Sequence, residues 1–235
     1  AQHRQAGRRR QRLATCGQAV YNHAVSQLAH TIEAPYRRLH RPFTGARYRL
    51  EPVGAATLPR LAELRRACAP RRFFPTPIAP DAAAQRAWFR DVQAQGRAVY
   101  WLVYESNAAP CLGYVQLSAI AAALRRAELG VVLTESARAG GGHGQRLGAL
   151  TCGLGFYVGG LRVIYACVHP DNTAAWRGLL RIGALPTEEH CTWRKPGQGL
   201  LRLTPLAWQR AARTRAANDP VWRDTLQALP QWARQ

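Results

Sequence analysis

Methionine is absent from these 235 residues, and Lys195 is the single lysine among 33 basic side chains. Acids are scarce as well: 13 Asp and Glu leave a formal charge of +20. No apolar run approaches the roughly 20 residues that a membrane-spanning helix needs. Residues 1–13, "AQHRQAGRRRQRL", hold none of the apolar core of a secretory signal. No CxxC pair occurs among Cys16, Cys68, Cys111, Cys152, Cys167 and Cys191, and no histidine stands at metal-ligand spacing. Reduced, mostly buried thiols are therefore expected, with neither a disulfide framework nor a metal site. The expectation is a soluble cytoplasmic protein, monomeric or homodimeric, that makes no membrane contact.

The charge raises the question of a nucleic-acid partner. The extreme preference for arginine over lysine, with abundant alanine, is also what GC-rich coding produces without selection for a phosphate-binding face. Weak contact of a basic arm with RNA or the ribosome stays open on these grounds.

Residues 1–46 read as a basic N-terminal extension, with "AVYNHAVSQLAHTIEA" at helical spacing. From Arg47 the pattern is α/β. "YRLEPV" alternates as a strand, and "ATLPRLAELRRAC" and "DAAAQRAWFRDVQAQ" are helices around the Pro-broken "FFPTPIAP". "AVYWLVYES" and "CLGYVQLSAI" form a hairpin, and "RRAELGVVL" is a further strand. A glycine-rich turn then opens a helix reaching about Phe156. "LRVIYACVH", the helix "DNTAAWRGLLRIGA" and a hairpin of "EEHCTWRK" with "GLLRLTPL" complete the sheet. Residues 207–235 read as a helical tail whose Trp208, Trp222 and Trp232 pack on the core.

A strand, a bare turn and a helix start together make an anion site, because the first amides of a helix lack acceptors and glycine allows close approach. The turn, Ala139 to Leu150, reads "AGGGHGQRLGAL". A Walker loop would need Gly-Lys-Ser/Thr, and a dinucleotide fingerprint would need glycine at Leu147. The stretch resembles instead the acetyl-CoA motif [Q/R]-x-x-G-x-[G/A] of the GNAT N-acetyltransferase superfamily. Gly142 and Gly144 fall on its last defined positions, while Ala139 takes the leading Gln/Arg position with Arg138 one residue early. Downstream, "VHPDNTAAWRGLLRIGA" resembles the family's second motif, matching at Val168, Asn172, Ala175, Arg181 and Gly183. Leu179 stands where the usual tyrosine would be. Residues 47–206 follow the superfamily plan, and they look most like the branch of RimJ/RimL-type and amino-sugar acetyltransferases.

The resemblance implies a mixed, mostly antiparallel sheet of six or seven strands, flanked by about four helices and splayed between strands 4 and 5. It implies acetyl-CoA as co-substrate. The pantetheine arm would pair with main chain of Val131, Val132 and Leu133. The pyrophosphate would sit on the turn from Arg138 and Ala139 through Gly140, Gly141, Gly142, His143 and Gly144. Asn172 would cap its helix and contact pantetheine. The acceptor is an amine, either a small molecule or a peptide N-terminus. Glu128 is the candidate base, with Glu135, Tyr104 and Tyr114 behind it. With Leu179 in the tyrosine slot, the thiolate leaves unassisted or another group, such as Cys167 or His169, substitutes. Phe73, Phe74, Trp88 and Trp193 are candidate walls of the acceptor pocket. The alternative is a GNAT scaffold that has lost catalysis and binds RNA or the ribosome.

Overall fold

The computed structural model describes residues 34–67, 73, 81–106, 110–138, 141–188 and 198–234. The chain divides into two compact units, residues 1–34 and 35–235. The helix expected near residues 19–34 lies outside the described residues, apart from its last position.

The described chain opens with a short helix α1, Ala34–Arg37, and a strand β1, Phe43–Thr44. Next come β2 (Tyr48–Pro52), α2 (Leu58–Ala67), α3 (Ala82–Ala94), β3 (Val99–Glu105) and β4 (Cys111–Ala121). β5 (Arg126–Leu133) and a single turn, α4 (Glu135–Arg138), lead to α5 (His143–Tyr157). The chain closes with β6 (Val163–Val168), α6 (Thr173–Arg181), β7 (Leu185–Pro186), β8 (Gly199–Leu203), α7 (Pro205–Ala216) and α8 (Pro220–Arg234).

Among the described residues eight strands form one sheet in the order β1-β2-β3-β4-β5-β6-β8-β7. Neighbours are antiparallel except β5 and β6, which run parallel. The count exceeds the expected six or seven because the sheet gains the two-residue strands β1 and β7. Val99 to Val103 of β3 are all buried, as a central strand covered on both faces requires. On the front face α2 and α3 cover Tyr100, Leu102, Tyr114 and Val132 with Leu61, Leu64 and Phe89. On the back face α5 lies against β5: a methyl added at Gly148 would touch Leu129 and Val131 at 3.8 Å. The C-terminal helices cover α5 in turn. Trp208 is fully buried and its Nε1 donates to the Ala149 carbonyl at 2.9 Å; Trp222 and Trp232 are buried too.

Two differences from expectation have physical causes. The extension was expected to run to residue 46, yet residues 35–46 belong to the second unit. Tyr36, Leu39 and Phe43 are buried, Phe43 edge-on to Trp101 and Trp232. Their wide spacing among arginines and histidines hides the apolar stripe. The final hairpin also differs: β8 takes its outer partner from Leu185 and Pro186 of β7, while residues 189–197 lie outside the described residues. Among the described residues no helix is long and apolar enough to cross a membrane.

Candidate functional site

β4 and β5 stay paired from Ala121↔Arg126 to Gly113↔Leu133. β5 and β6 pair only at Arg126↔Val163, Ala127↔Ile164 and Glu128↔Tyr165. Beyond that rung β5 continues to Leu133 without β6 beside it. The parallel pair therefore opens into a V whose apex is Glu128, and main chain of Leu129 to Leu133 lines one wall. Backbone groups on such an edge need an outside partner.

The glycine turn closes the wide end of the V. Gly141 and Gly142 hold φ of +68° and +65°, a region that disfavours side chains. Gly142 caps α5 without any side-chain hydrogen bond, so the first amides of the helix remain available at its positive end. A methyl at Gly144 would meet only Leu133 Cδ1, at 3.6 Å. The turn is braced from behind. Arg146 donates from Nη1 to the Gly141 carbonyl, and its Nε and Nη2 reach Asp219 Oδ2 at 3.1 and 2.9 Å. His143, expected to pack, lies edge-on to Tyr48 and hydrogen-bonds its hydroxyl through Nδ1 at 2.9 Å. Burial first, then the Arg47 and Arg146 charges, lower the His143 pKa against an opposing pull from Glu105.

Across the V, Asn172 caps α6 by accepting from the Ala175 amide at 3.2 Å. Leu179 is half-buried on that helix. His169, at the end of β6, has its ring 5.4 Å from Phe73 and accepts the Asp171 amide at 3.2 Å. Cys167 is a half-buried thiol that forms no disulfide among the described residues. Among the described residues no group of three His, Cys, Asp or Glu side chains could hold a metal ion.

The front face carries the chemistry-bearing groups. Ser118, Glu128, Tyr165 and Arg202 form one rung across β4, β5, β6 and β8. Alternation sends Ala127 and Leu129 into the back-face core and leaves Glu128 half-buried on the front. The other candidate bases are placed less well. Glu135 is exposed in α4, Tyr114 is buried in the front core, and Tyr104 carries the Arg49 guanidinium 4.2 Å above its ring. Of the expected walls, Phe73 reaches His169 and Trp88 sits beside Tyr100 at 5.5 Å; Phe74 and Trp193 lie outside the described residues. Ala139 and Gly140 do too, and Arg138 is exposed and donates back to the Thr134 carbonyl at 3.5 Å. Val131 to Leu133, Gly141 to Gly144 and Asn172 are brought around the V.

Sequence reasoning missed Arg65, Gln85 and Tyr100, which are buried on the front face, and the Arg146–Asp219 brace. A signal existed for the first two. Arg65 falls one turn beyond Leu61 and Gln85 one turn before Phe89, so each places a polar group on an apolar helical stripe.

An acetyltransferase (GNAT) domain model matches residues 47–185. No curated protein matches the chain. Among solved structures, RimJ from Mycobacterium smegmatis in complex with CoA-disulfide superposes with a TM-score of 0.59 at 20% identity, covering 75% of this chain and 91% of that one. A probable GNAT-family acetyltransferase from Chromobacterium violaceum gives 0.59 at 17% identity, with 72% and 89% covered. Spermidine N-acetyltransferase from Vibrio cholerae, in complex with CoA and spermine, gives 0.57 at 15%, with 69% and 98% covered. With the V-shaped opening, the bare turn and the family match in agreement, the chain belongs to the GNAT superfamily of acetyltransferases.

Proposed function

We propose that this chain moves an acetyl group from acetyl-CoA to a primary amine by direct attack in a ternary complex. The observation that carries this reading is the loss of β5–β6 pairing after Glu128↔Tyr165. It leaves the Leu129 to Leu133 edge of β5 without a β6 partner, an edge suited to the amides of a pantetheine arm. The bare amides at Gly142, His143 and Gly144 suit the pyrophosphate. The fit is supported by Gly144, where no backbone crowds the approach. Acetyl-CoA supplies the thioester, and this chain's residues do the rest.

Main-chain N–H groups of β5 near the apex stabilise charge building on the carbonyl oxygen. Glu128 takes the proton from the incoming ammonium, directly or through water, so that nitrogen attacks as the free amine. Because a thiol has a pKa near ~8.5, the thiolate leaves without a strong acid, which agrees with Leu179 in the slot of the usual tyrosine. Asn172 holds the start of α6 beside the opening.

Gly144→Glu tests the reading. A carboxylate in the first helical turn is favourable to the fold, so the variant should fold with an unchanged Tm. Acetyl-CoA affinity by calorimetry should fall at least about tenfold, because the new charge repels the pyrophosphate. Wild-type affinity in that variant would refute the placement. Failure of the wild-type chain to release CoA with any amine of a broad panel would refute the activity.

A further inference from the structure

Two buried polar side chains on the front-face helices have unmet hydrogen-bonding groups. Among the described residues, the Nη1 of Arg65, a side chain 8% exposed, finds no acceptor. Gln85 is 1% exposed, and among the described residues neither its Nε2 nor its Oε1 has a partner. Native proteins keep few such groups, because a buried donor or acceptor left unmet is costly. The two belong to one neighbourhood. The Arg65 guanidinium lies 4.2 Å above the Trp88 ring, and Gln85 sits one helical turn before Trp88 and Phe89 on the same face of α3. Trp88 stands edge-on to Tyr100 at 5.5 Å.

Tyr100 links this neighbourhood to the apex of the V. Burial pushes its phenol up to about 12, with the Arg65 charge opposing and the Glu128 charge adding. By register Tyr100 shares a rung with Gln116 and Gly130, two residues along β5 from Glu128 on the same front face. Its ring meets the Trp88 on which Arg65 stacks, so a fixed cation and the candidate base are both neighbours of one buried ring. Paired opposite charges of this kind match a zwitterion, with its ammonium at the carboxylate and its carboxylate at the guanidinium.

Building on the acetyl-transfer reading, we propose that the acceptor is an amine bearing its own carboxylate, of the amino-acid class. Arg65 Nη1 and Gln85 Nε2 donate to that carboxylate, and Glu128 holds the amine. Gln85 Oε1 accepts from a donor elsewhere on the same molecule. In the transfer, the ammonium gives one proton to Glu128 and the nitrogen–carbon bond forms; the carbon–sulfur bond breaks with its electron pair on the CoA thiolate, which takes up the second proton that the nitrogen sheds. The acceptor's carboxylate takes no part beyond anchoring. Arg65 repels a second ammonium, which separates this site from one built for polyamines.

The test compares paired acceptors on the full chain with acetyl-CoA: phenylalanine against phenethylamine, tryptophan against tryptamine, and lysine against cadaverine. The carboxylate-bearing member should show a kcat/KM at least about tenfold higher, mostly through KM. Arg65→Met should abolish that preference while leaving phenethylamine turnover and acetyl-CoA affinity within about threefold. Gln85→Leu guards against a folding artefact. It removes a buried unmet amide, so its Tm should hold or rise by about 2–4 °C while the preference falls. Equal or reversed preference in wild type, equal loss of both members in Arg65→Met, or a destabilised Gln85→Leu with the preference intact would overturn the proposal. If acetyl-CoA does not bind wild type, the acetyl-transfer reading fails. The carboxylate claim is then decided by thermal shift: stabilisation by phenylalanine beyond phenethylamine supports it, and equal shifts overturn it.

Discussion

Glu128 occupies the last rung at which β5 and β6 still pair, so its carboxylate stands at the narrow end of the V, where the proposed acceptor amine would arrive. Removing the charge while keeping the shape isolates its role: Glu128→Gln should lower kcat by about a hundredfold, with acetyl-CoA affinity unchanged within twofold. Steady-state kinetics beside calorimetry would check it. His143 carries a pH effect with a definite sign. Burial lowers its folded pKa, so the unfolded chain takes up a proton near pH ~6.5 while the folded chain does not. Stability is thus unaffected above about pH 6.5 and declines as pH falls below it. Tm measured from pH 8 to pH 5 should drop less steeply in His143→Gln than in wild type. Glu128 was legible in the sequence because alternation along "RRAELGVVL" separates it from Ala127 and Leu129. The partners of His143 and Arg146 were not legible, since Tyr48 and Asp219 lie 95 and 73 residues away.

At the level of elements, local chemistry places the helices that bound the site. Asp81 caps α3 by accepting the Ala84 amide at 2.8 Å, and Gly96 ends it at a φ of +59°. Asn172 does the same for α6, with Gly183 past its end at +94°. Asn172→Ala should cost about 1 kcal/mol, read as a Tm lower by roughly 2–4 °C. If Asn172 also touches pantetheine, acetyl-CoA affinity falls in the same variant. These caps, the alternation of β2 and β5, and the apolar runs of β3, β4 and β6 made the central elements legible. β1 and β7 were not, because two residues carry no period. Nor could spacing reveal that β5 and β6 pair only from Arg126 to Glu128, or that β4 slips register against β5 between Ser118 and Ala121, where Ala119 holds φ +47°.

For the whole molecule, the C-terminal helices belong to the site as well as to the core. Trp208 fills the space beside α5, where methyls at Gly153 would meet it at 3.0 Å and Leu229 at 2.7 Å. Trp208→Ala should cost about 3–5 kcal/mol by creating a cavity and removing the indole's bond to the Ala149 carbonyl, measurable as a lower denaturant midpoint. Asp219→Ala acts at longer range. It frees Arg146 from its half-buried ion pair, so the Gly141–Gly142 turn loses its brace. A modest stability loss of about 1–2 kcal/mol should come with weaker acetyl-CoA binding. Retained affinity would mean that the turn holds its shape alone.

Asp219 also sets an order of events during synthesis. The glycine turn is made long before the carboxylate that steadies it through Arg146, so a growing chain carries every residue of the V while its far end is still unbraced. Completion of the last helices would then strengthen cofactor binding, and polypeptides cut short before Asp219 would lack both the brace and the buried Trp222 and Trp232.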